Sequence, residues 1–117
     1  MLKETTRKFP LGEVVYTASL RVALLNEYRL QVRKHGWSSL VSDATEEMFL
    51  HEAITEILGF HESGNWGDVC AEDAEANDRA ILRGERILSS YKVLGIEIWI
   101  ITEWDRSYTT ILQPVDY

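Results

Sequence analysis

Apolar residues recur along this sequence with two different periods. Between residues 43 and 58 they return every three or four positions, which places them on one face of a helix. From residue 86 onward apolar and polar residues alternate, as they do in β-strands with one buried face. Helices followed by closely connected strands predict an α+β fold, in which two or three helices pack on an antiparallel β-meander of three to four strands.

The second and third predicted helices are marked by signals at their ends. Asp43, with Glu46 three residues later, has the spacing of an N-cap and its capping-box partner. Gly59 is the expected end of the second helix, because glycine is a poor helix former. A third helix is expected over Val69 to Arg83, after a glycine-rich loop at residues 61–68.

The first third of the chain is less uniform. Residues 1–10 form a polar, basic lead-in that we expect to be loosely held. Leu11 to Thr17 is predicted to be a strand of the same sheet, followed by a helix from Ala18 through at least Tyr28. The pattern at residues 27–34 fits a helix and a strand equally, so both remain open there.

Three strands are predicted at the end of the chain: Arg86 to Leu94, Ile96 to Trp104, and Tyr108 to Leu112. In the middle strand one face is apolar from Ile96 through to Trp104. The opposite face still carries Trp99 and Ile101, so we expect both faces of the sheet to be partly covered.

The composition is that of one globular domain spanning residues 1–117, with 45% apolar and 26% charged residues. Cys70 is the only cysteine, which excludes an internal disulfide and fits a reducing compartment. The densest apolar stretch, Ile96 to Ile101, is too short to cross a bilayer, and the sequence opens with no signal-peptide pattern. We therefore expect a cytoplasmic protein without a membrane partner.

Charge is distributed unevenly along the chain. Residues 1–36 contain seven basic and three acidic residues, whereas residues 37–80 contain one basic and eleven acidic residues. Such an acidic block repels nucleic acid and attracts a basic protein surface, although it is also typical of a solvated face that keeps a protein soluble. The candidate docking residues are Glu46, Glu52, Glu56, Glu62 and Asp68.

A second candidate site lies at the end of one predicted strand and the start of the next. It contains Glu103, Arg106, Ser107, Thr109 and Thr110. With Glu103 as base, Arg106 as oxyanion stabiliser and His61 as acid, these residues have the types that a metal-independent ribonuclease needs. The competing interpretation is structural, in which the same residues make turn hydrogen bonds, an ion pair and strand contacts.

Other chemistry has little support in the sequence. Glu47 and His51 stand four residues apart on one helix, but no further ligand spacing accompanies them, so no metal and no cofactor are expected. Trp66, Trp99 and Trp104 could stack on a nucleotide base, which leaves a small-nucleotide binder or a scaffold as an alternative; such tryptophans more often belong to a core. Direct nucleic-acid binding is not expected, because no recognised signature is present.

Several segments together resemble a family of short bacterial proteins carried on phages, plasmids and integrated elements, often labelled plasmid-related. The matching segments are FPLGEVVYT (Phe9–Thr17), HESGNWGD (His61–Asp68), AEDAEANDRAIL (Ala71–Leu82), RILSSY (Arg86–Tyr91) and IWIITEWDRSYTTILQP (Ile98–Pro114). The tract from Tyr28 to Glu52 does not match, Asn65 stands where the family has Asp, and Trp104 stands where a small residue is expected.

The resemblance implies cargo of a mobile element rather than housekeeping metabolism. It also implies that the family signature includes His61, Trp66, Asn77, Glu103, Arg106, Ser107 and Thr110. Two hypotheses follow. In the first, the protein uses its acidic surface to bind and inhibit a host defence complex, such as a defence nuclease or a ribonucleoprotein with a basic surface. In the second, it is a small ribonuclease or toxin-like effector; a homodimer is compatible with either.

Overall fold

The structure is a computed structural model that describes residues 7–117. Three helices and four strands follow one another in an order that confirms the predicted α+β fold. In chain order the elements are β1 (Glu13–Tyr16), α1 (Ala18–Lys34), α2 (Asp43–Glu62), α3 (Ala71–Arg83), β2 (Ile87–Val93), β3 (Ile96–Thr102) and β4 (Tyr108–Leu112), with short 3₁₀ turns at Ser38–Leu40 and Pro114–Asp116.

The four strands form one sheet in the order β1-β4-β3-β2. The predicted antiparallel meander comprises β2, β3 and β4, and the first strand joins the same sheet as expected. The sheet is nevertheless mixed, because β1 runs parallel to β4, with Glu13 beside Tyr108 and Tyr16 beside Ile111. This direction is accessible to β1 because the long stretch of chain between β1 and β4 can return to the same end of the sheet.

The main core lies between the sheet and the first two helices. Leu24 of α1, Leu50 of α2 and Ile100 of β3 belong to one buried apolar cluster. The inward face of β3 is as predicted through Thr102, but the strand ends there, and Trp104 is 66% exposed in the following turn. On the outer face Ile101 is also buried, so both faces of the sheet are partly covered.

Tertiary packing sets the helix boundaries that the sequence left open or misplaced. Residues 27–34 are helical, because α1 continues to Lys34 with Val32 buried and Tyr28 stacked on Phe49 of α2. The N-cap of α2 is Ser42 rather than Asp43, and its capping-box partner is Thr45 rather than Glu46.

Two predicted ends in the loop region were also wrong. Helix α2 does not stop at Gly59 but continues to Glu62, so His61 belongs to its last turn. The hydrogen bonds and burial of His61 offset the roughly 1 kcal/mol that a glycine costs inside a helix. Helix α3 begins at Ala71 rather than Val69, because the backbone N–H of Asp68 donates to Ser90 O of β2 at 2.7 Å.

The predicted loose lead-in falls partly on residues 1–6, which lie outside the described residues. Phe9 departs from that expectation, because it is only 6% exposed and packs in a second apolar cluster with Trp66 and Ile87. The backbone N–H of Lys8 also donates to Glu62 O at 2.8 Å, so this stretch is fixed to the end of α2. Within residues 7–117 no helix combines the length and apolarity needed to cross a membrane.

Candidate functional site

His61 lies within a buried chain of hydrogen bonds, between Ser89 and Thr102. Its Nδ1 is 2.5 Å from Ser89 Oγ, and its Nε2 is 2.8 Å from Thr102 Oγ1. Thr102 Oγ1 is 2.7 Å from Thr109 Oγ1, which donates to the backbone oxygen of Leu11 at 2.6 Å. We call Ser89, His61, Thr102 and Thr109 the polar chain. Apart from the imidazole, its side chains carry hydroxyl groups, and all four residues are 0% exposed.

The acceptor at one end of the polar chain sets the hydrogen-bond directions as far as His61. Thr109 uses its single hydroxyl proton on a carbonyl, so Thr102 donates to Thr109 and accepts from His61 Nε2–H. Burial favours the neutral imidazole, in which Nδ1 carries no proton and accepts from the Ser89 hydroxyl. Burial, together with the positive charge of Arg106, lowers the pKa of His61 from 6.5 to about 3. A neutral, enclosed imidazole is not available as a general acid.

Arg106 is held by backbone carbonyls rather than left free for an anion. Its guanidinium donates to Glu85 O at 2.6 Å, to Glu103 O at 2.9 Å and to Ala80 O at 3.0 Å. Ala80 lies in the last turn of α3, where carbonyl oxygens and the helix dipole favour a cation. The guanidinium also lies 5.7 Å from the centre of the Phe9 ring. Arg106 therefore connects the β3–β4 turn to the end of α3.

Glu103 and Thr110 of the predicted ribonuclease set are separated from His61 by the sheet. Glu103 forms an ion pair with Arg86 at 3.2 Å, and both line a depression of about 260 Å³ on the outer face with Thr110. His61 belongs to the inner face, where it contacts Thr102. Ser107 is a turn residue, since its N–H and Oγ donate to the same carboxylate oxygen of Asp105. His61, Glu103 and Arg106 do not converge on a common site.

Two other motif residues close the free edge of β2. The amide of Asn77 donates to Leu88 O at 2.7 Å and accepts from Leu88 N–H at 3.1 Å. Trp66 is a core residue, and its backbone oxygen accepts from Ser90 N–H at 3.2 Å. Gly67 passes so close to this edge that a Cβ would lie 1.9 Å from Ser90 O, at a φ of +71°. The motif HESGNWGD is thus an edge-covering segment, and edge covering protects a sheet from unwanted strand pairing.

Part of the predicted acidic surface is neutralised within the fold. Glu46 accepts two hydrogen bonds from Arg29, and Glu47 pairs with Arg21, so α1 supplies the cations for the first turns of α2. These contacts lower the pKa of both carboxyl groups. Glu62 pairs with Arg7 at 3.3 Å, with its side chain largely covered. Glu46 and Glu62 are therefore not free to dock a partner.

The other predicted docking residues meet at one place, which we call the acidic groove. This groove, of about 670 Å³, lies between α2 and the end of β2. Glu52 and Glu56 of α2 and Asp68 of the edge-covering segment are exposed along it. Within residues 7–117 none of the three has an ion-pair partner, and Lys92 is the basic residue of the lining.

The floor of the acidic groove is apolar, and no feature of the sequence alone predicts it as a separate surface. It is made by Phe49, Ala53, Ile57, Phe60, Tyr91 and Val93. The first three belong to the apolar stripe predicted for one face of this helix, whereas Phe60 lies beyond its predicted end at Gly59. Ile57 is buried, whereas Phe49 and Ala53 are only partly covered, so part of the predicted apolar stripe remains accessible in the groove.

No group of three or more His, Cys, Asp or Glu side chains in the described part of the chain is placed to hold a metal ion. Glu47, one half of the only candidate pair, is bound to Arg21. Comparison of the chain with protein-family models, with curated proteins and with solved structures gave no match. What the protein binds is therefore inferred from the chemistry of its own residues.

Proposed function

We propose that this protein is a non-catalytic binding protein that docks a basic segment of a partner protein in the acidic groove. Binding there would inhibit the partner, and a defence nuclease or ribonucleoprotein of the bacterial host is the class of partner that the resemblance to mobile-element proteins leads us to expect. The protein would act in the cytoplasm of that host.

One observation carries the proposal: an apolar floor bordered by three carboxylates without counter-ions. An exposed apolar depression with a polar rim is the usual form of a protein-binding site. The uncompensated charges on Glu52, Glu56 and Asp68 select a cationic partner and speed its approach. Glu46, Glu47 and Glu62 of α2 already have arginine partners. The groove differs from other acidic parts of the surface because its carboxylates border an apolar floor.

Nothing in the geometry favours the ribonuclease alternative to the same degree. The neutral imidazole of His61 is enclosed, and both terminal nitrogens of Arg106 donate to backbone carbonyls. Of the three tryptophans considered for base stacking, Trp66 is buried and Trp99 packs edge-on against Tyr117. Trp104 is exposed in the β3–β4 turn, but one exposed ring does not form the enclosed pocket that a nucleotide-binding site needs.

The test is affinity capture from a host lysate with the native protein and two charge-matched variants. In the groove variant, Glu52→Gln and Glu56→Gln remove two rim charges. In the control variant, Glu72→Gln and Glu75→Gln remove two charges from the exposed face of α3. We expect the native protein and the control to retain one basic protein or ribonucleoprotein in stoichiometric amount, and the groove variant to lose it.

The captured complex is then assayed for nuclease activity with and without added native protein. Inhibition by the native protein and the control, but not by the groove variant, is the expected result. Equal capture by all three proteins contradicts groove docking, and cleavage of added RNA by the native protein alone contradicts the non-catalytic assignment.

A further inference from the structure

The backbone at the edge of β2 limits what can lie in the acidic groove. The backbone N–H and C=O groups of Leu88 and Ser90 bond to residues outside β3, so they point away from it. In an antiparallel pair this direction alternates along the strand, so the groups of Lys92 point the same way. Leu88 is bound by Asn77, and Ser90 is bound by the segment at Trp66 to Asp68. Only Lys92 offers an unpaired N–H and C=O toward the groove within the described residues. A single residue is too little to hold an added strand by main-chain hydrogen bonds.

The apolar floor, in contrast, follows the axis of a helix. Phe49, Ala53, Ile57 and Phe60 recur at intervals of four, four and three residues along α2. Eleven residues of helix span about 16 Å, which is about three turns. Such a floor presents one apolar side chain on each successive turn of α2, and a partner would contact these side chains in turn.

We infer that the occupant of the acidic groove is an amphipathic α-helix of the partner, with an apolar stripe and basic residues along both borders of that stripe. The inference rests on the proposed docking function and names the form of the segment that docks. Apolar residues at helical spacing would cover the floor, in the way that amphipathic helices lie in hydrophobic grooves of other proteins.

The positions of the carboxylates specify the basic residues. Glu52 and Glu56 stand one turn apart on α2, so they match cations on consecutive turns of the docked helix. Asp68 lies on the opposite wall of the groove, which calls for a cation on the other border of the stripe. An extended peptide presents side chains with a period of two and cannot place its cations in this way while also covering the floor.

The test uses two fluorescein-labelled peptides of about 14 residues with the same leucine and lysine content, long enough to cover the ~16 Å floor. In the helical peptide the leucines are spaced by three and four positions; in the alternating peptide they occupy every second position. Fluorescence anisotropy measures binding of each peptide, kept monomeric at low concentration, to the native protein, the groove variant and the control variant of α3.

We expect the helical peptide to bind the native protein at least about tenfold more tightly than the alternating peptide, and to lose about tenfold in affinity with the groove variant only. Circular dichroism of the helical peptide should show helix gained on binding. Equal or tighter binding of the alternating peptide, still lost with the groove variant, overturns the helical occupant and leaves groove docking intact. Affinity that is the same for the groove variant and the control overturns groove docking itself.

Discussion

Polar residues are concentrated in two regions of the molecule. In one region the polar side chains bond to the protein itself, and in the other the charged side chains face solvent. Around the polar chain, His61, Asn77 and Arg106 each bind groups of the protein itself. Along the acidic groove, Glu52 and Glu56 extend into solvent beside an apolar floor. No buried side-chain nitrogen or oxygen in the described residues lacks a hydrogen-bond partner, so every buried polar atom of the first region is already bonded within the protein.

This difference shows that a conspicuous residue type does not by itself indicate a functional site. Histidine, arginine and asparagine in a motif suggest chemistry, but a buried polar group must be satisfied within the fold or it destabilises it by about 1–3 kcal/mol. Ordinary glutamates on a helix face suggest only solvation, yet those that lack a partner remain free to bind. The two regions differ in whether each polar side chain has a hydrogen-bond or ion-pair partner within the fold, and this distinguishes them better than residue type does.

The largest effect that separates the two regions is the pH dependence of stability. Because the pKa of His61 is about 3 in the folded protein and 6.5 unfolded, the unfolded state binds a proton first as the pH falls. The stabilisation is complete above pH 6.5 and is lost progressively down to pH 3. The whole shift corresponds to about 4–5 kcal/mol, and the slope within this range is about 1.4 kcal/mol per pH unit.

Urea unfolding between pH 7 and pH 5 checks this expectation, in the native protein and in His61→Gln. The glutamine amide can donate to one neighbour and accept from the other, as the neutral imidazole does, but it does not titrate. The variant is expected to be less stable and to have a flatter pH profile. Parallel profiles for the two proteins would mean that His61 is protonated normally.

The next largest effect is expected at the closed edge of β2. Replacing Asn77 by leucine leaves the N–H and C=O of Leu88 without a partner while keeping a side chain of similar size. Two unsatisfied backbone groups predict a loss of about 2–4 kcal/mol in the free energy of unfolding. Chemical denaturation measures this loss, and hydrogen exchange should show faster exchange at Leu88 than at Ile100 in the centre of the sheet. A change below about 0.5 kcal/mol would contradict the role of Asn77 in closing the edge.

A smaller effect is expected for Arg106→Lys. Lysine keeps the positive charge at the end of α3 but cannot bond three carbonyls with a planar group. The expected loss of stability is about 1–2 kcal/mol, measured by thermal or urea unfolding, with binding of the helical peptide unchanged. A loss of peptide binding in a folded variant would place Arg106 in a binding site and remove the distinction between the two regions.

Much of the fold could be predicted because it depends on local patterns. Period-two alternation located β2, β3 and β4, and helical periodicity located α2, since these signals lie within each element. The ends were less predictable: α2 passes through Gly59 because His61 is bound in the core, which only the tertiary structure determines. The parallel direction of β1 likewise depends on a pairing across the length of the chain.

The candidate site was only half predictable, for a related reason. Glu52, Glu56 and Asp68 were identified as acidic docking residues, but the sequence could not show that Glu46 and Glu62 are paired with Arg29 and Arg7. Those ion pairs join residues distant in the sequence. For the same reason, the separation of His61 from Glu103 by the sheet follows from strand register, not from spacing.

The smallest expected effect on stability belongs to the acidic groove, and it completes the comparison. Glu52→Gln with Glu56→Gln should change the free energy of unfolding by no more than about 0.5 kcal/mol, because exposed carboxylates without partners contribute little to the fold. The same pair of substitutions should reduce affinity for the helical peptide about tenfold, with the difference from the native protein shrinking as salt is added.

Asn77→Leu should do the reverse and lower stability without altering peptide affinity per folded molecule. Denaturation and anisotropy on the same protein samples measure both quantities. A groove variant that is clearly destabilised would show that Glu52 and Glu56 support the fold, and their lack of partners would then no longer indicate a binding role.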